Sequence, residues 1–336
     1  MTRAPLQIGI QEAGVMHAVI NAFDIDTKFR MVKESGVFDY FDKTPTPADG
    51  PLFRRASEKY GVPLTAGGWF YRVGRDEALL EWHLRVANEY GTKVQNVQIF
   101  TEDADGRPVS DDTVARLYLR AAELGDKYKV TPCFEVHVNM WSEHFGRVAR
   151  VAALVEKQGV PFHMTLDHSH VIFKIDNPHE QDVQAMRADV ESGALVLDPF
   201  KPGNVCEAWI EAGYVRHAHA RPAVPNGPVN VWSLDAAGKP GRGIQAPFVA
   251  PKPGEWHAAW SPEMLEPWKE VLRQLLRHHA RNESSRLETI STELIPWPDY
   301  GGGAKYSLFE HSIAVAEWLR AEWAKAEDEA KAAPVR

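Results

Sequence analysis

The segment SDDTVARLYLRAAELGDKYKVTPCFEVH, residues 110–137, joins one helix pattern directly to one strand pattern. Apolar residues recur at helical spacing over 110–128, and a serine followed by two aspartates is a typical helix start. The short apolar run 131–137 then ends in Glu135 and His137. A helix that leads into a strand with polar residues at its end is the repeating unit of a parallel α/β sheet.

The same unit recurs along the chain at intervals of about 30 residues. The predicted strands are 6–10, 38–42, 62–67, 94–100, 131–137, 161–167, 214–220 and 287–294. Eight units predict a (β/α)8 TIM barrel that forms one domain over residues 1–330, although a doubly wound open sheet would give a similar rhythm with fewer strands. No glycine-rich phosphate motif follows the first strand, which argues against a dinucleotide or P-loop site.

Two segments interrupt this rhythm. The connection 171–203 after the sixth strand is long, and residues 221–262 after the seventh are rich in Pro, Gly and Trp. The second segment is too irregular for a helix and too aromatic for a disordered linker, so we expect a lid or a docking insertion. Residues 331–336 are predicted to form a C-terminal tail.

Composition limits the classes of function. The chain has 336 residues and a formal charge of −8, and no long basic run is present, so a nucleic-acid partner is not expected. Neither a signal-peptide core nor a run of about 18 apolar residues occurs, which predicts a cytoplasmic protein without membrane association. Two cysteines, Cys133 and Cys206, are too few for a disulfide framework or a thiolate zinc site.

Metal-ligand side chains lie at the ends of four consecutive predicted strands. These residues are Glu135, Asp167, His217 or His219, and Glu293. Because the carboxyl ends of barrel strands meet at one face, we expect these side chains to converge. Three carboxylates with one imidazole suit Mn²⁺, Mg²⁺ or Co²⁺ better than a sulfur-loving metal. A buried salt-bridge network without metal is the alternative, and the coincidence of four such strand ends favours the metal site.

These residues resemble the signature of the xylose-isomerase-like TIM-barrel superfamily, which includes sugar isomerases, ketose 3-epimerases and the AP endonucleases of the endonuclease IV type. The resemblance rests on Glu135, on the Asp167-x-x-His170 motif, on a histidine in the seventh strand and on Glu293. It implies that Glu135, Asp167, His219 and Glu293 bind the metal, with His170 beside them. His219 is preferred over His217 because HARP fits the family's seventh-strand frame.

A bound divalent ion polarises a sugar carbonyl and makes the adjacent C–H acidic, so that a base can form an enediolate. His137 is the predicted base, since an imidazole titrates near neutral pH; alternatively it orients Glu135 or binds a substrate hydroxyl. The predicted catalytic residues are His137, Glu135 and Glu293. The predicted substrate contacts are His170, His217, Arg221, Trp69, Trp141 and Trp297.

The number of histidines, the chain length and the Trp-rich insertion favour β-elimination. Within the superfamily the sequence looks most like the α subunit of C-glycoside deglycosidases, which cleave 3-oxo-glucosides of flavonoid-type aglycones. This resemblance implies a manganese-dependent lyase with a small β subunit, and we also expect a homo-oligomer. An isomerase or ketose 3-epimerase is the alternative, although Arg221 follows His219 by two residues and not by the six typical of epimerases. A non-catalytic sugar-binding subunit is the second alternative.

Overall fold

The computed structural model describes residues 5–19 and 22–332. Its strands are β1 (Gln7–Gln11), β2 (Tyr40–Asp42), β3 (Leu64–Tyr71), β4 (Val94–Ile99), β5 (Thr131–Glu135), β6 (Met164–Leu166), β7 (Val215–Ala220), β8 (Asn230–Leu234), β9 (Pro240–Gly241) and β10 (Thr289–Thr292). All eight predicted strands are present, with ends that differ by up to four residues from the predicted ones.

Helices connect the strands. They are α1 (Ile25–Ser35), α2 (Gly50–Tyr60), α3 (Glu77–Glu89), α4 (Asp111–Tyr128), α5 (Gly146–Glu156), α6 (Ser169–Ile172), α7 (Pro178–Asp182), α8 (Arg187–Glu191), α9 (Val205–Glu211), α10 (Glu266–Arg281) and α11 (Leu308–Ala332). The predicted tail, 331–336, therefore begins inside α11, and its residues 333–336 lie outside the described residues.

Strands β1 to β7 and β10 form a closed parallel barrel. The closing contact pairs β10 with β1, in register from Gln7 opposite Thr289 to Ile10 opposite Thr292. On its other side β10 pairs with β7. Because the sheet closes on itself, the prediction of a (β/α)8 barrel is confirmed and the open doubly wound sheet is excluded.

Helix α4 shows how the sequence positions one strand of the site. The side chain of Ser110 accepts a hydrogen bond from the Thr113 N–H at 3.2 Å, which caps the helix as its sequence predicts. The buried residues of α4 include Val114, Leu117, Tyr118, Ala121 and Leu124. The ring of Tyr118 packs edge-on against Phe134 with centroids 4.9 Å apart. This packing holds β5 in place at Phe134 and so positions the next residue, Glu135, at the end of the strand.

Two connections extend beyond the barrel at the carboxyl ends of its strands. The segment 171–203 contains α7 and α8, and the insertion 221–262 contains the antiparallel pair of β8 and β9. The insertion is thus ordered, although irregular. Both segments are fastened to the barrel by contacts that the sequence patterns did not predict.

The first fastening is a group of four charged residues, Glu143, Lys174, Glu180 and Arg242, which we call the balanced ion network. Lys174 is fully buried, and its Nζ lies 3.0 Å from Glu143 Oε1 and 3.4 Å from Glu180 Oε2. Arg242, from the insertion, pairs with the same two carboxylates. The network therefore links the loops after β5 and β6 to the insertion with two positive and two negative charges.

The second fastening is Asn230, the first residue of β8. Its side-chain nitrogen lies 2.9 Å from the Pro298 carbonyl, 3.1 Å from the Tyr300 carbonyl and 2.9 Å from the Gly302 carbonyl. Gln245, also from the insertion, accepts a hydrogen bond from the Ile295 N–H at 2.8 Å. The insertion therefore supports the backbone turn that follows β10.

Within residues 5–19 and 22–332, the helices are either too short or too polar to cross a membrane. Cys133 and Cys206 are both buried, and neither forms a disulfide. Burial raises the pKa of both thiols, which makes them unreactive core residues.

Candidate metal centre

A cavity of about 310 Å³ opens at the carboxyl ends of the barrel strands. Its rim is aromatic, with Trp69, Phe70 and Trp297, and the Trp297 side chain is 50% exposed. The polar side chains of its wall are Gln11, Glu12, Lys43, Thr44, Asn96 and Gln98. The remaining lining includes Asp42, His137, His219 and Glu293. A polar wall beneath an aromatic rim is suited to a ligand with hydroxyl groups at one end and an apolar group at the other.

Four strand ends meet beside this cavity. Glu135 ends β5, Asp167 directly follows β6, His219 lies in β7, and Glu293 directly follows β10. One ligand atom of each residue lies within 4.8 Å of the other three, and all four residues are buried. These are the four residues that the sequence predicts as metal ligands, and the barrel brings them together.

Glu135 is fixed by amide groups from β4. Its Oε2 accepts hydrogen bonds from Asn96, at 2.6 Å, and from Gln98, which leaves Oε1 to face His219 Nδ1 at 2.9 Å. Burial opposes the ionisation of Glu135, but the charges of His219 and His137 outweigh it and hold the pKa of this carboxyl below its usual value. Glu135 is therefore an oriented carboxylate with one oxygen available to a cation.

His219 lies between two carboxylates. Its Nδ1 is 2.9 Å from Glu135 Oε1 and 3.0 Å from Glu293 Oε2. Burial disfavours its charged form, yet the charges of Glu293 and Glu135 raise its pKa well above the usual value. The imidazolium thus carries a positive charge where three carboxylates converge, and a metal ion that binds its nitrogen must displace a proton.

Arg221 contributes a second positive charge. Its guanidinium lies 2.9 Å from Asp167 Oδ2 and also pairs with Glu293 Oε2. Despite burial, Arg221 and His170 hold the pKa of Asp167 well below its usual value. Arg221 is predicted to contact substrate, but its side chain is fully buried behind the ligand residues. A substrate contact would require it to leave both carboxylates.

Glu293 differs from the other two carboxylates. It lines the cavity, and burial raises its pKa while Arg221 and His219 only partly oppose that effect. A carboxyl with a raised pKa that borders a cavity is a candidate for proton transfer.

His137 also lines the cavity, but both of its ring nitrogens have partners. Nδ1 lies 2.5 Å from the Val138 carbonyl oxygen, so it carries the proton, and Nε2 accepts from the Tyr300 hydroxyl at 3.0 Å. The Arg221 guanidinium packs over the Tyr300 ring, 4.3 Å from its centroid. His137 can act as a base only after Nε2 has given up the Tyr300 hydroxyl.

The other predicted substrate contacts divide into two groups. Trp69 and Trp297 lie at the cavity rim. Trp141 is only 1% exposed, packs in the hydrophobic core and does not line the cavity. His170 and His217 are fully buried behind the ligand residues, and burial lowers the pKa of His170 to about 3.

Asp42 and Tyr300 are site residues that the sequence patterns did not reveal. Asp42 ends β2 and lines the cavity, with Oδ2 3.6 Å from His219 Nε2. The strand-end rule that selects Glu135 and Asp167 also applies to Asp42, because the predicted strand 38–42 ends there. Tyr300 lies in an irregular turn after β10, where no sequence periodicity indicates its direction.

The donor set fits a divalent metal ion. Glu135, Asp167, Glu293 and Asp42 place four carboxylates in one buried region, where Arg221 and the imidazolium of His219 supply two positive charges. Unpaired buried charge is costly, so a divalent cation would stabilise this group. Three carboxylate oxygens and one imidazole nitrogen are ligands that Mn²⁺, Mg²⁺, Co²⁺ and Zn²⁺ all accept.

No protein-family model matches the sequence, and no curated protein matches it either. Solved structures do match the fold. D-psicose 3-epimerase with D-tagatose from Clostridium cellulolyticum H10 is 12% identical and superposes with a TM-score of 0.52 over 95% of this chain and 99% of that chain. The chain has the xylose-isomerase-like TIM-barrel fold. At such low identity this likeness describes the fold alone.

Two further matches to this barrel have the same extent. The IOLI protein with a binding zinc atom is 12% identical, with a TM-score of 0.53 over 96% of this chain and 99% of that chain. The probable 3-DHS dehydratase AsbF, from Bacillus anthracis, is 13% identical, with a TM-score of 0.50 over 94% of this chain and 99% of that chain. The similarity extends over the whole barrel in each case.

Proposed function

We propose that the protein is a divalent-metal-dependent enzyme that removes the proton next to the carbonyl of a sugar and then expels a leaving group. The specific reaction is β-elimination of the aglycone from a 3-oxo-glucoside, as in the α subunits of C-glycoside deglycosidases. The observation that carries this proposal is the convergence of Glu135, Asp167, His219 and Glu293 within 4.8 Å beside a cavity with an aromatic rim.

The four converging residues are the proposed metal ligands, and Mn²⁺ is the proposed ion. Oxygen donors outnumber nitrogen three to one, which favours Mn²⁺, Mg²⁺ or Co²⁺. When bound, the ion supplies Lewis-acid polarisation of the sugar carbonyl, which makes the adjacent C–H acidic. The IOLI structure, described with a binding zinc atom, supports the view that this kind of barrel accommodates a divalent ion.

Proton removal is assigned to Glu293 and His137. Glu293 lines the cavity, and burial raises its pKa, so its carboxylate is placed to accept the substrate proton while Oε2 pairs with Arg221 and His219. His137 Nε2 can take a proton after the Tyr300 hydroxyl turns from donor to acceptor. Ion pairs keep the ligand carboxylates oriented. Arg221 pairs with Asp167 and Glu293, and His219 pairs with Glu135.

Elimination is favoured by the shape of the cavity. Trp69, Phe70 and Trp297 offer flat apolar surfaces at the rim, where an aromatic aglycone would leave the sugar. Gln11, Thr44 and Gln98 offer amide and hydroxyl groups that suit sugar hydroxyls. The match to a probable dehydratase supports the same reaction class, because dehydration is an elimination.

A partner subunit fits the insertion better than a moving lid does. We propose that residues 1–330 form one domain, whose insertion, 221–262, is fastened by Arg242 and Asn230. Strand β8 nevertheless exposes Val231 and Leu234 next to this fastening, and Val229, which directly precedes the strand, is also exposed. We propose a small β subunit at this surface, further copies of the chain in a homo-oligomer, and a cytoplasmic location.

Epimerisation or isomerisation of a ketose is the second candidate. Glu135 and Glu293 approach the same imidazole nitrogen at 2.9 and 3.0 Å, so two carboxylates lie together at the site, and Glu293 is the one that lines the cavity. The match to D-psicose 3-epimerase supports this candidate at the level of the fold. Elimination and epimerisation share the first proton transfer and differ in whether a group leaves.

The test is the reaction of a 3-oxo-glucoside in D₂O with Mn²⁺. Free aglycone, absent with Glu293→Gln and reduced with His137→Ala, supports the lyase. Glu288→Gln is the matched control, because Glu288 lies near the other end of β10 and pairs with Arg216 at 2.6 Å. Tyr300→Phe decides the role of His137: faster turnover identifies Nε2 as a base that the hydroxyl restrains.

Two other outcomes would count against elimination, and a third would count against the role of Glu293. Deuterium in the sugar without released aglycone would assign the protein to the isomerases or epimerases. Metal and sugar binding without any proton exchange would indicate a non-catalytic binding subunit. Full activity of Glu293→Gln would remove Glu293 from both the metal centre and proton transfer.

A further inference from the structure

A second group of potential ligands lies on the other side of the His219 ring. It consists of Asp42, at the end of β2, and of His217 and His219 on β7. Alternate residues of a strand point to the same side, so both imidazoles project inward from β7 towards Asp42. All three residues are buried, with exposures of 4%, 0% and 3%.

The distances within this group are too long for hydrogen bonds. His217 Nε2 lies 3.4 Å from Asp42 Oδ2, and His219 Nε2 lies 3.6 Å from the same oxygen. An N–H···O hydrogen bond has a heavy-atom distance of about 2.7–3.2 Å. Both Nε2 atoms are buried without a hydrogen-bond partner. Two orphaned imidazole nitrogens aimed at one carboxylate require an explanation.

Further contacts hold the His217 and Asp42 side chains in place. His217 Nδ1 lies 2.8 Å from the Thr289 hydroxyl and 3.2 Å from the Thr289 carbonyl. Asp42 Oδ2 accepts a hydrogen bond from Ser291 at 2.6 Å. Such outer contacts orient imidazole and carboxylate ligands around metal ions.

We propose that Asp42, His217 and His219 bind a second divalent cation of the zinc type, Zn²⁺ or Co²⁺. Ligands about 2.0–2.1 Å from a tetrahedral ion are roughly 3.3–3.4 Å apart, which matches the separations of 3.4 and 3.6 Å. Two imidazoles and one carboxylate leave a fourth position for water. This donor set contains more nitrogen than the first group and so selects a different ion.

The charges provide an independent argument. Four buried carboxylates, Asp42, Glu135, Asp167 and Glu293, lie near one permanent cation, Arg221. Once His219 binds metal as a neutral ligand, the carboxylates exceed the guanidinium by three charges. One divalent ion leaves an excess of one negative charge. A second ion, which displaces the remaining His219 proton and makes the ring an imidazolate, brings the sum to zero.

His219 belongs to both groups. Its Nδ1 faces Glu135 and Glu293, and its Nε2 faces Asp42. The inference rests on the proposed function only through this shared ring. An ion at each nitrogen requires His219 to lose both ring protons and to bridge the two ions as an imidazolate. Loss of His217 is therefore expected to weaken binding of the first ion as well as to release the second.

The test is the metal stoichiometry of the whole protein after chelation and titration with Zn²⁺ and, separately, with Mn²⁺, measured by elemental analysis and calorimetry. Wild type is expected to bind two equivalents of Zn²⁺. His217→Gln and Asp42→Asn are expected to bind one equivalent, with at least a tenfold loss at the second step. His179→Gln, outside both groups, should retain two. Thermal unfolding verifies that each variant is folded. If either His217→Gln or Asp42→Asn fails to fold, the other still tests the second cation.

The outcomes separate this inference from the proposed function. Suppose that wild type binds a single equivalent of metal, which Glu293→Gln loses and His217→Gln keeps. That result would overturn the second cation and leave the proposed metal centre intact. If the single equivalent bound by wild type is instead lost in His217→Gln and kept in Glu293→Gln, the result supports the Asp42 group and counts against the proposed function. Absence of binding to wild type overturns both.

Discussion

The balanced ion network and the candidate metal centre both bury several carboxylates above the barrel, but their charges differ. In the network, Glu143 and Glu180 face Lys174 and Arg242, so the protein supplies equal numbers of opposite charges. In the metal centre, three carboxylates face Arg221 and a histidine that must become neutral to bind metal. A buried cluster whose side-chain charges sum to zero needs no ligand, which indicates a structural role. A buried cluster with a net negative charge is stabilised by a bound cation, which indicates a binding site.

The largest expected effect is on the balanced ion network. Lys174→Met leaves Glu143 and Glu180 with Arg242 as their remaining cation, and removal of one partner from a buried ion pair costs about 3–5 kcal/mol. We expect the free energy of unfolding to fall by that amount in urea titrations. Lys201→Met is the control, because Lys201 is 70% exposed and lies 3.8 Å from Asp198. Equal effects of the two variants would contradict the structural role of the network.

The next effect is a pH dependence confined to the network. Burial disfavours the charged form of Glu143, but Arg242 and Lys174 outweigh it and lower its pKa from 4.5 to about 2. A depressed carboxyl pKa contributes stability above the unfolded value, and this contribution, about 3 kcal/mol, is lost as the pH falls through the folded value. The stability difference between wild type and Glu143→Gln should therefore shrink by about 3 kcal/mol between neutral pH and about pH 2. A difference independent of pH would show that Glu143 is not held in its charged form.

The smallest of the three effects is stabilisation of the metal centre by its ion. At a free Mn²⁺ concentration of 100 times Kd, binding to the native state adds about 2.7 kcal/mol to the free energy of unfolding. Glu293→Gln should lose most of this gain, and Glu288→Gln should retain it. Lys174→Met should also retain it, since the network completes its own charges. If Mn²⁺ stabilised Glu293→Gln as much as wild type, the contrast between the two groups would fail.

The barrel could be predicted because its information is local and repeated. Each strand is a short apolar run, each helix has a regular apolar face, and Ser110 caps α4 as the sequence indicates. Convergence of the four proposed ligands also follows from the barrel, because strand ends must meet. These inferences need only the order of the elements and the direction of the sheet.

The surroundings of the site could not be predicted in this way. Trp141 follows a strand, as rim residues do, but it turns into the core. Arg221 follows His219 by two residues, yet it turns back behind the ligands to pair with Asp167. Tyr300 reaches His137 across 163 positions of sequence. Such directions depend on irregular loop backbone and on long-range contacts, for which the sequence has no period.

The contact between Asn230 and the turn after β10 has a consequence for how this barrel could diversify. Asn230 binds three carbonyl groups of the turn, at Pro298, Tyr300 and Gly302, and thus recognises backbone and not side chains. The half-exposed side chain of Trp297, which begins the same turn, is not part of that contact. If the protein has the proposed lyase activity, replacements of Trp297 would alter which aglycones it accepts while the turn keeps its course, so new specificities would be accessible without a redesign of the scaffold.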